Sequence, residues 1–307
     1  MFAYVLRRMA VAIPTLLLLI VLSFVLMHLA PGGPFTQERE LPAQVLANLN
    51  AKYGLDQPLW RQIWNYLYGI VAHFDFGPSF VYPDRTVNQL IAEGFPVTLT
   101  YGALSFLFAV VVGVALGVVA AIRQNSFLDY LAVGISIGAQ VLPNFVMAPI
   151  LVLVFTLWCG LLPGGGWSFS DPRFWVMPVI ALGTSYMASI ARITRSSMLE
   201  VLGSNHIRTA RAKGMPEHRV VIRHALKPAL LPVISYLGPV FVSMITGSVV
   251  IDIYFSTGGI GKAFVDSALN RDYAVMMGVT ILIGALTILF NLVVDILYAW
   301  IDPRIRY

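Results

Sequence analysis

The stretch MAVAIPTLLLLIVLSFVLMHLA, residues 9–30, contains no Asp, Glu, Lys or Arg. As an α-helix its 22 residues rise about 33 Å, enough to cross the roughly 30 Å hydrocarbon layer of a bilayer. Lipid offers the backbone no hydrogen-bonding partner, and the run lacks the two-residue alternation of a barrel strand, so the helix is the form it can take there. Arg7 and Arg8 precede it as they would a secretory signal. The run is far longer than a signal core of about 7–15 residues and shows no small-x-small cleavage site. It reads as a retained first helix.

Five further runs have the same character: 97–122, 131–158, 174–194, 229–251 and 275–300. Hydrophobic residues make up 58% of the 307-residue chain and charged residues 11%, against roughly 25% charged in a soluble protein. A soluble fold of this size cannot hide that much apolar surface. The expected fold is therefore an all-α integral membrane protein with six transmembrane helices. It divides into the first helix at 1–30, a loop region at 31–96, and a core at 97–307 with five spans and a long connection at 192–228. Pro14, Pro143, Pro149, Pro178 and Pro239 fall inside the runs and are expected to kink them.

Lys and Arg counts in the connections set the orientation. The 192–228 segment carries Arg192, Arg195, Arg208, Arg211, Lys213, Arg219, Arg223 and Lys227 against Glu200 and Glu217. Arg7, Arg8, Arg123, Arg304 and Arg306 fall on the same side, which places both termini in the cytoplasm. The net charge of +5 thus describes a membrane topology rather than a nucleic-acid partner. Residues 31–96 are external, with helical pieces at about 42–53 and 58–72. Trp60, Trp64, Tyr66 and Tyr68 suit either a flap on the membrane surface or contact with an external partner.

Eight basic residues at bilayer depth would cost on the order of 20 kcal/mol, so 192–228 stays in the cytoplasm. From Glu200 to Lys213 the only breaker is Gly203; Gly214-Met215-Pro216 then stops one helix and opens another, which runs to about Leu226 before Pro228. The expectation is a stiff helix–turn–helix. On charge alone it is an anchor for anionic lipid.

The string Ile207-Arg208-Thr209-Ala210-Arg211-Ala212-Lys213-Gly214, with Arg223-His224-Ala225-Leu226-Lys227-Pro228-Ala229-Leu230-Leu231-Pro232 behind it, resembles the coupling-loop signature of bacterial ABC importer permeases. Aligned on Gly214, Ala210 keeps the family's second alanine, while Arg208 and Thr209 replace the Glu and first Ala, and the later Ile and Leu-Pro become His224 and Leu226-Lys227. Ile13-Pro14-Thr15, Ala30-Pro31-Gly32, Phe76-Gly77-Pro78-Ser79-Phe80, Gly258-Gly259-Ile260-Gly261, Arg271-Asp272-Tyr273 and Ile301-Asp302-Pro303 extend the likeness over the whole chain. They are similar to the B-type permease of oligopeptide importers, with dipeptide and nickel permeases sharing the architecture.

The resemblance implies a type I importer architecture of the methionine-permease kind in the bacterial inner membrane. It implies a second related permease, two cytoplasmic ATPase subunits that bind ATP and Mg, and an extracytoplasmic peptide-binding protein. No cofactor or metal belongs to this chain itself. ATPase coupling falls to Glu200, Asn205, Ile207, Arg208, Thr209, Ala210, Arg211, Ala212, Lys213, Gly214 and Met215, with Ala210, Ala212 and Gly214 against the ATPase and Arg208, Arg211 and Lys213 toward acids at its rim. Gly258, Gly259 and Gly261 form a turn at the outer mouth.

Gln140, Asn144, Ser235, Tyr236, Ser243, Thr246 and Ser248 are the scarce polar residues of the spans, suited to lining a pore or to helix-to-helix hydrogen bonds. Gly113–Gly117 and Gly134–Gly138 are small-xxx-small pairs expected to pack helices. Asp295 reads as the one carboxylate well inside a span, suited to pairing with Arg192 or Arg195. The lone Cys159 excludes an intrachain disulfide. His206, His218 and His224 lack the i, i+4 spacing of a helical zinc pair, Gly183-Thr184-Ser185-Tyr186-Met187 fails as a nucleophile elbow, and Ser256 and Ala263 break a phosphate loop around Lys262. The chain is thus not read as an enzyme. An ion-gradient-driven carrier is the competing class, but midplane charges and paired broken helices in two similar halves are not evident.

Overall fold

The computed structural model describes residues 2–29, 33–35, 42–246 and 249–301, with the side chains of 2–6, 8 and 295–301 excepted. The expectations for Ser248, for Asp295 as an ion-pair partner, and for the Ala30-Pro31-Gly32 and Asp302-Pro303 strings fall outside what is described. Among the described residues every extended element is helical. Five helical stretches are long and apolar enough to cross a membrane, or six if a pair broken by a sharp bend counts as one span. The chain divides into two compact units.

The first unit is Met1–Val97 with Gly258–Tyr307. It holds α1 (Phe2–Leu29), α2 (Ala43–Tyr53), α3 (Leu59–His73), the first turns of α4 (Val87–Ile122), α13 (Ile260–Leu269) and α14 (Tyr273–Ile301). Ile20 and Phe24 of α1, Met277 and Ile281 of α14, and the inward face of α3 form one core. Gly284 lets α1 approach α14: a Cβ there would lie 2.3 Å from Leu19 Cδ2. On α3, Trp60, Trp64 and Tyr68 are exposed. Tyr66 departs from that face. It packs inward beside Phe24, and burial pushes its phenol pKa well above the usual value.

Helix α4 starts ten residues before the expected 97. Its N-terminus is a capping box: Thr86 N–H donates to Gln89 Oε1 at 3.0 Å and Gln89 N–H to Thr86 Oγ1 at 3.2 Å. The two strings around Phe76–Phe80 and Arg271–Tyr273 meet at one buried carboxylate. Asp272, 1% exposed, accepts from the Ser79 hydroxyl and from the N–H groups of Phe80 at 3.2 Å, Val81 at 3.3 Å and Val275 at 3.2 Å. It thereby caps α14 and ties down the loop before α4. Asp272→Ala is expected to cost about 2 kcal/mol by orphaning these donors. Ser79→Ala should add little to it in a double-mutant cycle of thermal unfolding, because both changes remove one network.

The second unit is Thr98–Thr257. It holds the rest of α4, then α5 (Phe127–Val141), α6 (Asn144–Leu151) continued by a π-helical stretch Val152–Trp158, and α7 (Arg173–Leu202). After these come α8 (Asn205–Ala212), α9 (Glu217–Arg219) continued as π-helix Val220–Ala225, α10 (Leu226–Ala229), α11 (Leu231–Ile245) and α12 (Val249–Tyr254). Ala109, Met187, Ala188, Ile190, Val233 and Met244 form its core, and α7 runs through the middle of it. The α4–α7 contact is glycine-mediated. A Cβ on Gly113 would sit 2.8 Å from Met187 O, and one on Gly117 would sit 2.5 Å from both Ala191 O and Thr194 Cβ. Gly134 and Gly138 differ from expectation, since neither has an atom of this chain within 4 Å of its Cβ position.

Three expected boundaries move. The run 131–158 is not one straight span. It breaks at Leu142-Pro143 with a bend of 109°, because proline donates no hydrogen bond and forces the preceding residue into extended backbone, here ψ 112°. The span beginning near 174 continues to Leu202, so 192–202 is the last part of α7 rather than loop. The helix after Pro216 passes through Pro228 to Ala229 and into α11, with the π-helical stretch ahead of the proline.

Candidate functional site

The segment after α7 is a short lever. Gly203 ends α7, and Ser204 turns to extended backbone with ψ 157° before α8 begins. At the far end Gly214 adopts φ +76°. Met215 N–H donates to Ala210 O at 3.3 Å and Gly214 N–H to Arg211 O at 2.9 Å, the pair of bonds that closes a Schellman cap. The Arg211 guanidinium spans the turn to Glu217 at 2.5 Å and holds that carboxyl below its usual range.

The lever has a buried face and an open face. Ile207 and Ala210 point inward, packed with Val220, Val221 and Ala225 behind them and with Met198 of α7. They are therefore not available for a partner, contrary to the expectation for Ala210, and Met215 packs beside them. Glu200 belongs to the exposed last turn of α7, not to the lever. Arg211 is already committed to Glu217. Asn205, Arg208, Thr209, Ala212, Lys213 and Gly214 remain exposed.

The polar residues of the spans separate just as clearly. Ser235 and Ser243 are exposed on α11, and Thr246, half-buried, caps its C-terminus. The hydroxyls of Ser235 and Thr246 donate back to Leu231 O at 3.2 Å and Val242 O at 2.9 Å. Tyr236 instead packs against the core. Asn144 accepts from Ser185 Oγ at 3.1 Å, a bond from α6 to α7. Gln140 is exposed at the end of α5 and lines a cleft of about 460 Å³ between α4, α5 and α7.

At that cleft Arg195 clamps Asp129 with two bonds, Nε to Oδ1 at 2.7 Å and Nη2 to Oδ2 at 2.8 Å. Asp129 is also held by Asn125 N–H at 2.9 Å. Arg195 is thereby paired with Asp129; the expected pairing of Asp295 with Arg192 or Arg195 lies outside the described side chains. Asp129→Ala is expected to cost about 3 kcal/mol, because it strands a guanidinium among apolar helices. Removing Arg195 as well should recover part of that loss in thermal unfolding of the detergent-purified protein.

The glycine turn is packed rather than free. Gly259 and Gly261 are buried, and Gly258 takes φ +76°. A Cβ on Gly94 of α4 would lie 3.2 Å from Gly258 O, Gly259 C and Ile260 N, so Gly94 is what admits the turn. Nearby in the chain, Asp252 of α12 is fully buried and accepts from the Thr257 hydroxyl. Asp252 is thus a further carboxylate of an apolar stretch, close to the end of Leu231–Tyr254.

Residues 113–307 match the family model described as binding-protein-dependent transport system inner membrane component, and residues 1–102 match its N-terminal companion. The chain belongs to this family of inner-membrane transport components. Over 307 residues, all of both chains, it is 57% identical to the oligopeptide transport system permease protein OppB of Salmonella typhimurium. It is 43% identical to the dipeptide transport system permease protein DppB of Bacillus subtilis, covering 99% of this chain and 97% of that one. The inward-facing MetNI methionine ABC transporter has the same fold, with TM-score 0.60 at 18% identity over 70% of this chain and 97% of that chain.

The permease is accordingly a multi-pass inner-membrane protein with the methionine-permease type of architecture. Membership in a binding-protein-dependent family sets aside the ion-gradient-driven carrier. Sequence alone assigns no role to Asp129, Asp252 or Gly94, and Asp272 enters only as part of the Arg271-Asp272-Tyr273 string. Only the Ser-Phe-Leu-Asp cap before Asp129 and the Thr-Val-Asn-Gln box before α4 left local signals. The Ser79 partner of Asp272 and the turn admitted by Gly94 lie far away in the chain.

Proposed function

We propose that this permease is one of two pore-forming subunits of an ATP-driven importer of oligopeptides delivered by an extracytoplasmic binding protein. The observation that carries the reading is the full-length 57% identity to an oligopeptide permease. Both termini and the lever lie in the cytoplasm, a topology supported by the concentration of Lys and Arg between 192 and 228. Two ATPase subunits supply ATP and Mg binding and grip the open face of α8 around Arg208, Thr209, Ala212, Lys213 and Gly214. Small residues there allow close approach, and the Schellman cap with the Arg211–Glu217 bridge keeps the lever stiff enough to pass a push into α7 and α11. The second permease closes the pore against Ser235, Ser243 and Gln140.

The test is purification of the tagged chain from membranes of its source. A second related permease and two nucleotide-binding subunits should co-purify, with ATPase activity stimulated by peptide-loaded binding protein. Recovery of the chain without any nucleotide-binding subunit, in detergent that keeps it folded, would sink the reading.

A further inference from the structure

Arg192 and Arg195 stand one turn apart on α7 and line the same cleft of about 460 Å³. Arg195 is neutralised by Asp129. Arg192 is exposed and has no carboxylate partner among the described residues. In the topology proposed above Arg192 stands at the cytoplasmic end of α7 and lines the cleft from that side. Around it, Gln140 and Ser196 line the cleft with no hydrogen bond from either side chain among the described residues, while Ile137 and Leu116 give an apolar wall. The volume lies within the roughly 300–1,000 Å³ of ligand sites, and a mostly apolar lining with a few converging polar groups is their usual make-up.

We propose that Arg192, assisted by Gln140 and Ser196, binds the C-terminal carboxylate of the peptide in transit. The inference rests on the importer reading above and deepens it. A guanidinium presents a planar fork that matches a carboxylate with two parallel hydrogen bonds and stays charged at every physiological pH. The amide of Gln140 and hydroxyl of Ser196 add neutral donors, and the apolar wall accepts the terminal side chain. The Asp129–Arg195 pair keeps the neighbouring guanidinium from competing for the same anion. A lipid phosphate offers the same oxyanion chemistry, so the experiment separates the two sources.

The complete complex, with its ATPases and binding protein, is placed in vesicles and given one peptide as free acid and as C-terminal amide. The readout is the ratio of the two uptake rates; the binding protein's own preference is common to all variants and cancels. Arg192→Gln is expected to lower the free-acid to amide ratio about tenfold, the scale of a charged hydrogen bond, with Arg192→Lys between it and the wild type. An unchanged ratio in Arg192→Gln overturns the assignment. So does equal slowing of both peptides that appears only when phosphatidylglycerol is added to phosphatidylcholine vesicles, which gives the guanidinium to lipid. Should Arg192→Gln fail to assemble, Gln140→Leu is read in the same way, and an unchanged ratio there overturns the proposal. A wild-type complex that accumulates neither peptide sinks the importer reading itself, whereas uptake of both with no role for Arg192 sinks only the carboxylate site.

Discussion

Gly214→Trp is expected to insert, fold and assemble, yet to lower ATP-driven peptide uptake at least about tenfold, within the range of coupling energies between sites. Two properties of Gly214 are separable. Its φ of +76° disfavours any side chain by about 1–2 kcal/mol, a cost that Ala and Trp share. The space around it is open, with no atom within 4 Å of a Cβ, so a side chain can leave the exposed tip without a clash at its root. Gly214→Ala therefore isolates the backbone effect and should retain most uptake. Gly214→Trp adds a bulky group where the ATPase is proposed to dock. Uptake and ATP hydrolysis measured side by side in vesicles decide the matter. If Trp transports as well as Ala, the tip of the lever does not touch the engine.

Gly117→Leu should leave little folded protein, with a cost of about 3 kcal/mol or more from overpacking. The added Cβ would stand 2.5 Å from Ala191 O and from Thr194 Cβ. One neighbour is helix backbone and the other is the root of a fully buried side chain, so relief requires moving α4 away from α7. Gly134→Leu is the matched control, since its Cβ meets nothing in this chain. Monodisperse yield and melting temperature in detergent should fall sharply for the first and hold for the second. Equal behaviour of the two would mean that α4 and α7 do not approach as described.

Both contrasts show why some of the site was legible early. The stop at Gly214-Met215-Pro216 is written locally: a left-handed residue calls for glycine, and proline pre-sets the next helix. The open side of the lever was less legible. Ile207 and Ala210 were grouped with their exposed neighbours because an eight-residue helix declares its inward face only once Val220, Val221 and Met198 are in place behind it. The break at Pro143 was anticipated as a kink; its size of 109° depends on what the two arms pack against.

The apolar runs and the distribution of Lys and Arg were enough to determine a multi-pass helical membrane protein, and the glycine–proline punctuation located its lever. Those features depend on a few consecutive residues and on transfer from water, which act on any chain with that composition. Pairings decided by tertiary structure include Asp129 with Arg195, 66 positions apart, and Asp272 with Ser79, 193 apart. Lipid and protein interior are equally apolar to a leucine, so hydropathy cannot say which face of a membrane helix meets a neighbour. Glycine clearances and buried carboxylates make that choice, and they are seen only when the helices are packed.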